Sequence, residues 1–227
     1  MAPTATSPES TRGELGQGLY SLDELRRYVA LDGTARDGRR VLDWLTQVLH
    51  PVRHRPKQPD YSFSDLISLF VVRELIGRGV PAHRIRDAEE HLRKKWGTDR
   101  PFVSESIATD GRHVYSGDEL VSAQPAQIEA ASLAGQQTMI EPIKQDLRSI
   151  RYHEGQAEQW HPAEFVVLDP GLQFGDPVIE GTRVPVRSVA AVAAARGTRA
   201  AARTYGISLA AAEAASRFQQ RLASALS

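Results

Sequence analysis

Few folds accommodate the stretch from Phe174 to Val186, FGDPVIEGTRVPV, together with the alanine-rich segment after it. Val178-Ile179 and Thr182 to Val184 are β-prone and flank Glu180-Gly181, where a glycine takes the positive φ that a tight hairpin needs. Pro185 ends the pairing, having no N–H to donate. Three alanine-rich helical patterns come next, opening at Ser188, Thr198 and Ser208. Gly197 and Gly206 place a helix stop beside the second and third of these starts. The order predicts a hairpin followed by three short helices.

The pattern from Gly175 to Pro185, Gly-x-Pro-Val-Ile-x-Gly-Thr-Arg-Val-Pro, with its trihelical tail, resembles a small bacterial domain family of formerly unknown function. That domain occurs in antitoxins of type II toxin–antitoxin operons, the VapB-like group. The resemblance covers about the last quarter of the chain. It implies a homeodomain-like three-helix domain and, as partner, a PIN-like ribonuclease toxin, an enzyme class that holds divalent metal with carboxylates. An arginine among carboxylates makes charge-assisted, often bidentate pairs. Arg183, Arg187, Arg196, Arg199 and Arg203 are therefore the toxin-binding candidates; Arg183 has a rival reading as a structural partner of Asp169 or Asp176. The first turns of the last helix, Leu209, Ala210, Ala211, Ala212, Ala214 and Ala215, cannot read base edges by hydrogen bonding. They form a small-residue surface suited to another helix.

Charge is segregated along a chain whose formal net charge is zero. Residues 19–115 hold 17 Lys/Arg against 14 Asp/Glu, residues 116–182 hold 3 against 11, and residues 183–227 hold 7 against 1. Two basic modules joined by an acidic middle suggest polyanions or acidic protein surfaces as partners. Cysteine is absent, which excludes disulfides and thiolate zinc sites. No apolar run approaches the ~20 residues of a membrane span, and no signal pattern opens the chain, so the expectation is a cytoplasmic protein without membrane contact.

Residues 1–18 are rich in Pro, Ser, Thr and Gly, and predict a disordered tail. Ser21 to Glu24 form a capping box opening a helix with Leu22, Leu25 and Val29 on one face. After the turn Asp32-Gly33-Thr34, a second helix is expected from about Ala35 to Val48, with Val41, Leu42, Trp44, Leu45 and Val48 apolar. Arg36, Arg39 and Arg40 lie in its first half. Two short helices with arginines opening the second form a helix-turn-helix pattern, whose second helix would lie in the DNA major groove. The loop His50 to Pro59 carries Arg53, His54, Arg55 and Lys57, as a phosphate-contacting wing would. A helix capped at Ser62 or Ser64 is expected next, with Phe63, Leu66, Ile67, Phe70, Val71 and Leu75 at helical spacing. Pro81 starts another, with Ile85, Ala88, Leu92 and Trp96 expected inward.

This order of parts is similar to the winged helix-turn-helix of MerR-type regulators, in the variant found in antitoxins that carry the C-terminal module above. It spans residues 19–115. The resemblance implies a homodimer on double-stranded operator DNA. The DNA-facing candidates are Arg36, Arg39, Arg40, Arg53, His54, Arg55 and Lys57; the first three have a plainer reading as a solvated helix face.

Beyond Gly97 the chain is expected to be extended through Phe102-Val103, with a hairpin about Asp110-Gly111. Residues 117–137 suggest a linker, and Met139, Ile143 and Leu147 a short helix with Pro142 in its first turn. A second hairpin is expected about Glu154-Gly155, then a buried strand at Phe165 to Leu168. Phosphate-loop, nucleophile-elbow and His-Glu-x-x-His patterns are absent, so neither an enzyme nor a cofactor or metal site is expected. The predicted protein is α+β and mostly helical: a tail (1–18), a MerR-like winged helix-turn-helix (19–115), an acidic connector (116–162), and a hairpin–trihelical domain (163–227). Its expected function is a DNA-binding antitoxin that represses its own operon. The alternative is a MerR-like regulator with no toxin, its C-terminal domain serving dimerisation or a second DNA contact.

Overall fold

Three helices of the first half begin with the same device, a hydroxyl and a carboxylate three residues apart that satisfy each other's backbone N–H groups. Ser21 and Glu24 open α1 (Leu22–Asp32), Thr34 and Asp37 open α2 (Ala35–Asp43), and Ser62 and Asp65 open α3 (Phe63–Gly77). Each cap is worth about 1 kcal/mol. The computed structural model describes residues 19–50, 61–104, 106–109, 114–116, 119–120, 141–142 and 147–227. The expected tail, the basic loop and most of the expected linker lie outside these.

Helix α2 runs on into a π-helical turn, Trp44–Val48, where the Leu49 N–H reaches back to the Trp44 carbonyl at 2.8 Å. Trp44, Leu45 and Val48 are buried there. Helix α3 is apolar on nearly every side and is buried accordingly, with Leu66, Ile67, Leu69, Phe70, Val72 and Leu75 wholly enclosed. It is the centre of the core. Helix α4 (Ala82–Trp96) turns Ile85, Ala88, Glu89 and Leu92 inward. Trp96, expected inward, is 38% exposed. It is the last helical residue before the reversal at Gly97, and the buried aromatic here is instead Phe102. Phe102 sits in a 3₁₀ turn, Pro101–Val103, where an extended segment was expected.

Strands β1 (Ile107–Thr109) and β2 (Val114–Ser116) pair antiparallel, as the Asp-Gly hairpin requires; the turn residues lie outside the described ones. Strands β3 (Glu119–Leu120) and β4 (Glu141–Pro142) complete the order β3-β2-β1-β4. Pro142 is thus in an edge strand opposite Ala108 and not in a helix. Edge strands tolerate proline because one side of the ladder needs no donor.

The second sheet, order β5-β6-β7-β8, is a meander of β5 (Ile150–His153), β6 (Gln156–Ala163), β7 (Val166–Leu168) and β8 (Val178–Ile179). Glu154 and Gly155 join β5 to β6, both at positive φ as the right-handed twist of a two-residue hairpin demands. Its inner face carries Trp160, which is fully buried against Phe70 (centroids 4.8 Å apart) and edge-on to Tyr28 (5.6 Å). Tyr28 in turn meets Tyr20 at 5.8 Å. These four aromatics join the N-terminal helices to the C-terminal sheet in one hydrophobic cluster running from Tyr20 to Phe218.

After β8 the chain turns at Gly181 (φ +75), and the Ile179 N–H bonds the Val184 carbonyl at 2.9 Å. Helices α5 (Val186–Arg196), α6 (Thr198–Tyr205) and α7 (Leu209–Ser224) complete the chain. Helix α5 opens at Pro185, not at Ser188: proline's fixed φ suits a helix entry, and its carbonyl accepts from the Ser188 N–H at 3.0 Å. Ser208 caps α7 as expected. Ala211, Ala212, Ala214 and Ala215 are buried, so the small-residue face is occupied within the chain and is not free for a foreign helix.

Candidate functional site

Helices α1 and α2 pack unusually closely because Gly38 has no side chain. A Cβ there would lie 2.5 Å from the Arg26 carbonyl oxygen and 2.9 Å from the Ala30 Cβ. The inward face of α2 is Gly38 and Val41, continued by Trp44, Leu45 and Val48. The outward face holds Arg36, Arg39, Asp43, Thr46 and Gln47, all exposed. Arg40 is half-buried with its guanidinium 5.3 Å from the Trp44 ring centroid, a cation–π contact that fixes its orientation. Of the predicted DNA-facing residues, then, Arg36 and Arg39 stand free and Arg40 leans on the core. Arg53, His54, Arg55 and Lys57 lie outside the described residues. Gln47 joins this exposed face from the π-helical turn, where α-helical spacing does not place it. The α-helical part of that face, residues 36 to 43, spans roughly 10 Å at 1.5 Å per residue, and a helix about 10–12 Å across fits a major groove about 12 Å wide.

The end of this helix is held by a buried ion network. The Arg100 Nε donates to Asp65 Oδ1 at 2.6 Å, and one of its terminal nitrogens donates to the His50 carbonyl at 2.8 Å. Glu89 lies 3.8 Å from the same nitrogen. Burial pushes the Glu89 carboxyl above the ordinary range, opposed by a backbone hydrogen bond from His50 and by the Arg100 charge. Asp65 also serves the α3 cap through its other oxygen, 2.7 Å from the Ser62 N–H. Both backbone groups of His50 are thus tied to charged side chains inside the protein.

The far end of the chain closes on the same helical pair. Arg27 donates to the carbonyls of Leu222 and Ala223 at 3.3 and 3.2 Å, and Leu226 packs against Gly38.

The outer face of the second sheet is polar. Gln159, His161, Val167, Leu172, Glu180, Thr182 and Arg183 line a cavity of about 360 Å³. Glu180 lies 3.4 Å from Arg151 and 3.7 Å from His161. Burial and the Arg151 charge hold His161 below the ordinary histidine range, against the pull of Glu180. Arg183 is exposed and pairs with neither Asp169 nor Asp176. Asp169 accepts from Gln159 and from the Gly171 N–H, while Asp176 pairs with Arg187. The five predicted toxin-binding arginines are distributed: Arg183 lines this cavity, and Arg187 borders a groove between α5 and α7 lined by Ala190, Ala194 and Gln220. Arg196, at the end of α5, and Arg199 and Arg203, one turn apart on α6, are exposed. Among the described residues no three His, Asp or Glu converge to hold a metal, and no helix is long and apolar enough to cross a membrane.

One turn between the sheet and the motif is conformationally strained. Gln173, Phe174 and Gly175 have φ of 49°, 58° and 88°, a single left-handed 3₁₀ turn closed by i→i+3 bonds at 2.9 and 3.1 Å. Each L-residue in that region costs roughly 1–2 kcal/mol. The N-terminal segment holds it in place: the Leu19 N–H donates to the Phe174 carbonyl at 2.9 Å and the Tyr20 hydroxyl to the Gly175 carbonyl at 3.0 Å. Nothing in the residue types of Gln173 and Phe174 announces this conformation.

Residues 166–218, from the first residue of β7 into α7, match a family described as a protein of unknown function, DUF433. Across the whole fold the chain is similar to the crystal structure of Rv2018 from Mycobacterium tuberculosis, with a TM-score of 0.59 at 22% identity, covering 87% of this chain and 96% of that one. No curated protein matches the chain.

Proposed function

We propose that the protein is a DNA-binding antitoxin of a type II toxin–antitoxin system, acting as a homodimer in the cytoplasm on its own operator and neutralising a PIN-like ribonuclease. In this reading the first half is a MerR-like winged helix-turn-helix and the role is not enzymatic. The observation that carries it is the outward face of α2: Arg36, Arg39 and Gln47 project from the second helix of a tightly packed pair whose other face is core. Arginine and glutamine are side chains that read guanine and adenine edges in the major groove. Support for the toxin half is the motif from Gly175 to Pro185 and the strongly basic module after it.

The test is binding of the intact protein to the DNA upstream of its own gene, by fluorescence anisotropy over a range of salt. Loss of one base-edge contact is worth ~1–3 kcal/mol, so Arg36→Ala or Arg39→Ala should weaken specific binding by roughly 5- to 150-fold while non-specific binding changes little. A double variant that holds the operator with wild-type affinity and specificity would remove α2 from the interface. Truncation is a poor test, because ending the chain at Glu164 strips the partners from Tyr20, Arg27 and Gly38.

A further inference from the structure

We infer that the left-handed turn at Gln173 to Gly175 exists to hold Phe174 outward as the anchor for a protein partner whose socket is apolar with an acidic rim. The inference rests on the antitoxin reading, under which that partner is the PIN-like nuclease.

Phe174 is 73% exposed, the most exposed large apolar side chain among the described residues. It fills no space in the core, yet its backbone occupies a region that crowds any Cβ. Such strain persists only where the surroundings impose it, and it gathers at functional positions. The surroundings here are unusually firm. Two i→i+3 bonds close the turn, the Leu19 N–H and the buried Tyr20 hydroxyl bind two successive carbonyls, the Gln173 amide reaches the Arg183 carbonyl at 3.4 Å, and Asp176 is paired to Arg187. An aromatic side chain on a backbone this fixed loses little freedom when a partner covers it, which is what makes aromatic anchors dominate interfaces.

The neighbours of the anchor define the socket. Leu19, 59% exposed, is tied to Phe174 through its own N–H and widens the apolar spot. Arg183 is exposed, forms no ion pair among the described residues, and is bonded to the turn through its carbonyl. From Arg183 onward the chain carries 7 Lys/Arg against 1 Asp/Glu. Arg183 sets an unpaired positive charge beside the ring, and a partner edged with carboxylates would be drawn to it.

The experiment uses the full chain and the product of the reading frame adjacent to its gene, made in a cell-free system; an adjacent frame that encodes no PIN-like nuclease would overturn the antitoxin reading and this inference with it. Phe174→Asn and Phe174→Gly both remove the ring while easing the left-handed backbone. Expected are a melting temperature equal to or above wild type, unchanged operator affinity, and nuclease affinity lowered at least about 30-fold, as for an interface hot spot. Arg183→Glu should weaken the same complex and flatten its salt dependence. Wild-type nuclease affinity in both Phe174 variants would overturn the inference and leave the antitoxin reading standing, as would weakened binding accompanied by a lowered melting temperature. A wild-type chain that fails to bind the nuclease overturns both. A change in the chain's own sedimentation on Phe174→Asn would assign the anchor to a second copy, and overturn the inference too.

Discussion

Gly38→Ala is the substitution in which local and tertiary effects oppose each other most directly. On an exposed helix the change stabilises by about 1 kcal/mol, because alanine loses less backbone entropy. In α2 the added methyl would meet the Arg26 carbonyl oxygen at 2.5 Å, Leu226 Cδ2 at 2.7 Å and Ala30 Cβ at 2.9 Å. The Leu226 contact is the tip of a flexible side chain beyond α7 and can yield; the Arg26 carbonyl is α1 backbone and moves only with its helix. Overpacking of this kind costs typically 1–3 kcal/mol. The helix pair must then open, and the net effect should be a loss on the order of 1–2 kcal/mol, read by urea unfolding followed by far-UV circular dichroism. Gly77→Ala is the internal control, since a Cβ there meets nothing within 4 Å, and it should be neutral or stabilising. In a Leu226→Ala background the Gly38→Ala penalty should shrink but not vanish. A Gly38→Ala protein as stable as wild type would refute the close-packed pair.

Arg100→Met leaves Asp65 and Glu89 buried without their cation, and should cost about 3–5 kcal/mol in the same assay; a loss under 1 kcal/mol would mean that water reaches the network. Because burial raises the Glu89 carboxyl in the folded state, the native protein holds that proton more tightly than the unfolded chain, and stability declines as pH climbs from about 4 through the raised value. Glu89→Gln should remove that decline, and a melting-temperature profile parallel to wild type would contradict it. Gly181→Val forces a β-branched residue to φ +75 and should cost more than about 1 kcal/mol, although a Cβ there has open space; an unchanged melt would show that the turn can relax.

Local chemistry was legible in the sequence. The capping box at Ser21 and Glu24, the turn at Gly181 and the hairpin at Glu154-Gly155 are each decided within four residues, so spacing and residue type suffice. Contacts between distant segments were not. Arg100 meets Asp65 and Glu89 across 35 and 11 positions, and each acid alone reads as an ordinary helix residue; the available hint was Glu89 on the inward stripe with Ile85, Ala88 and Leu92. Trp96 kept the stripe's spacing but sits at the helix end, where the next turn of chain supplies Phe102. Arg183 and Arg187 are both candidates for Asp176, and only the entry of α5 at Pro185 decides for Arg187. In the candidate interface, Arg40 and Trp44 stand four apart and are neighbours on one helix face; what spacing could not show is that burial of the ring draws Arg40 off the exposed track of Arg36 and Arg39.

The closure of α1 and α2 by Leu222, Ala223 and Leu226 has a consequence for biosynthesis. The residues that complete this pair are synthesised about 180 positions after α2, so the pair stays unfinished for roughly 9–36 s at 5–20 residues per second. Nascent chains stalled before α7 should be cleaved by protease within α1 and α2, and protection there would contradict this order. A chain that stops short of Leu222 therefore leaves the α1–α2 pair without these contacts.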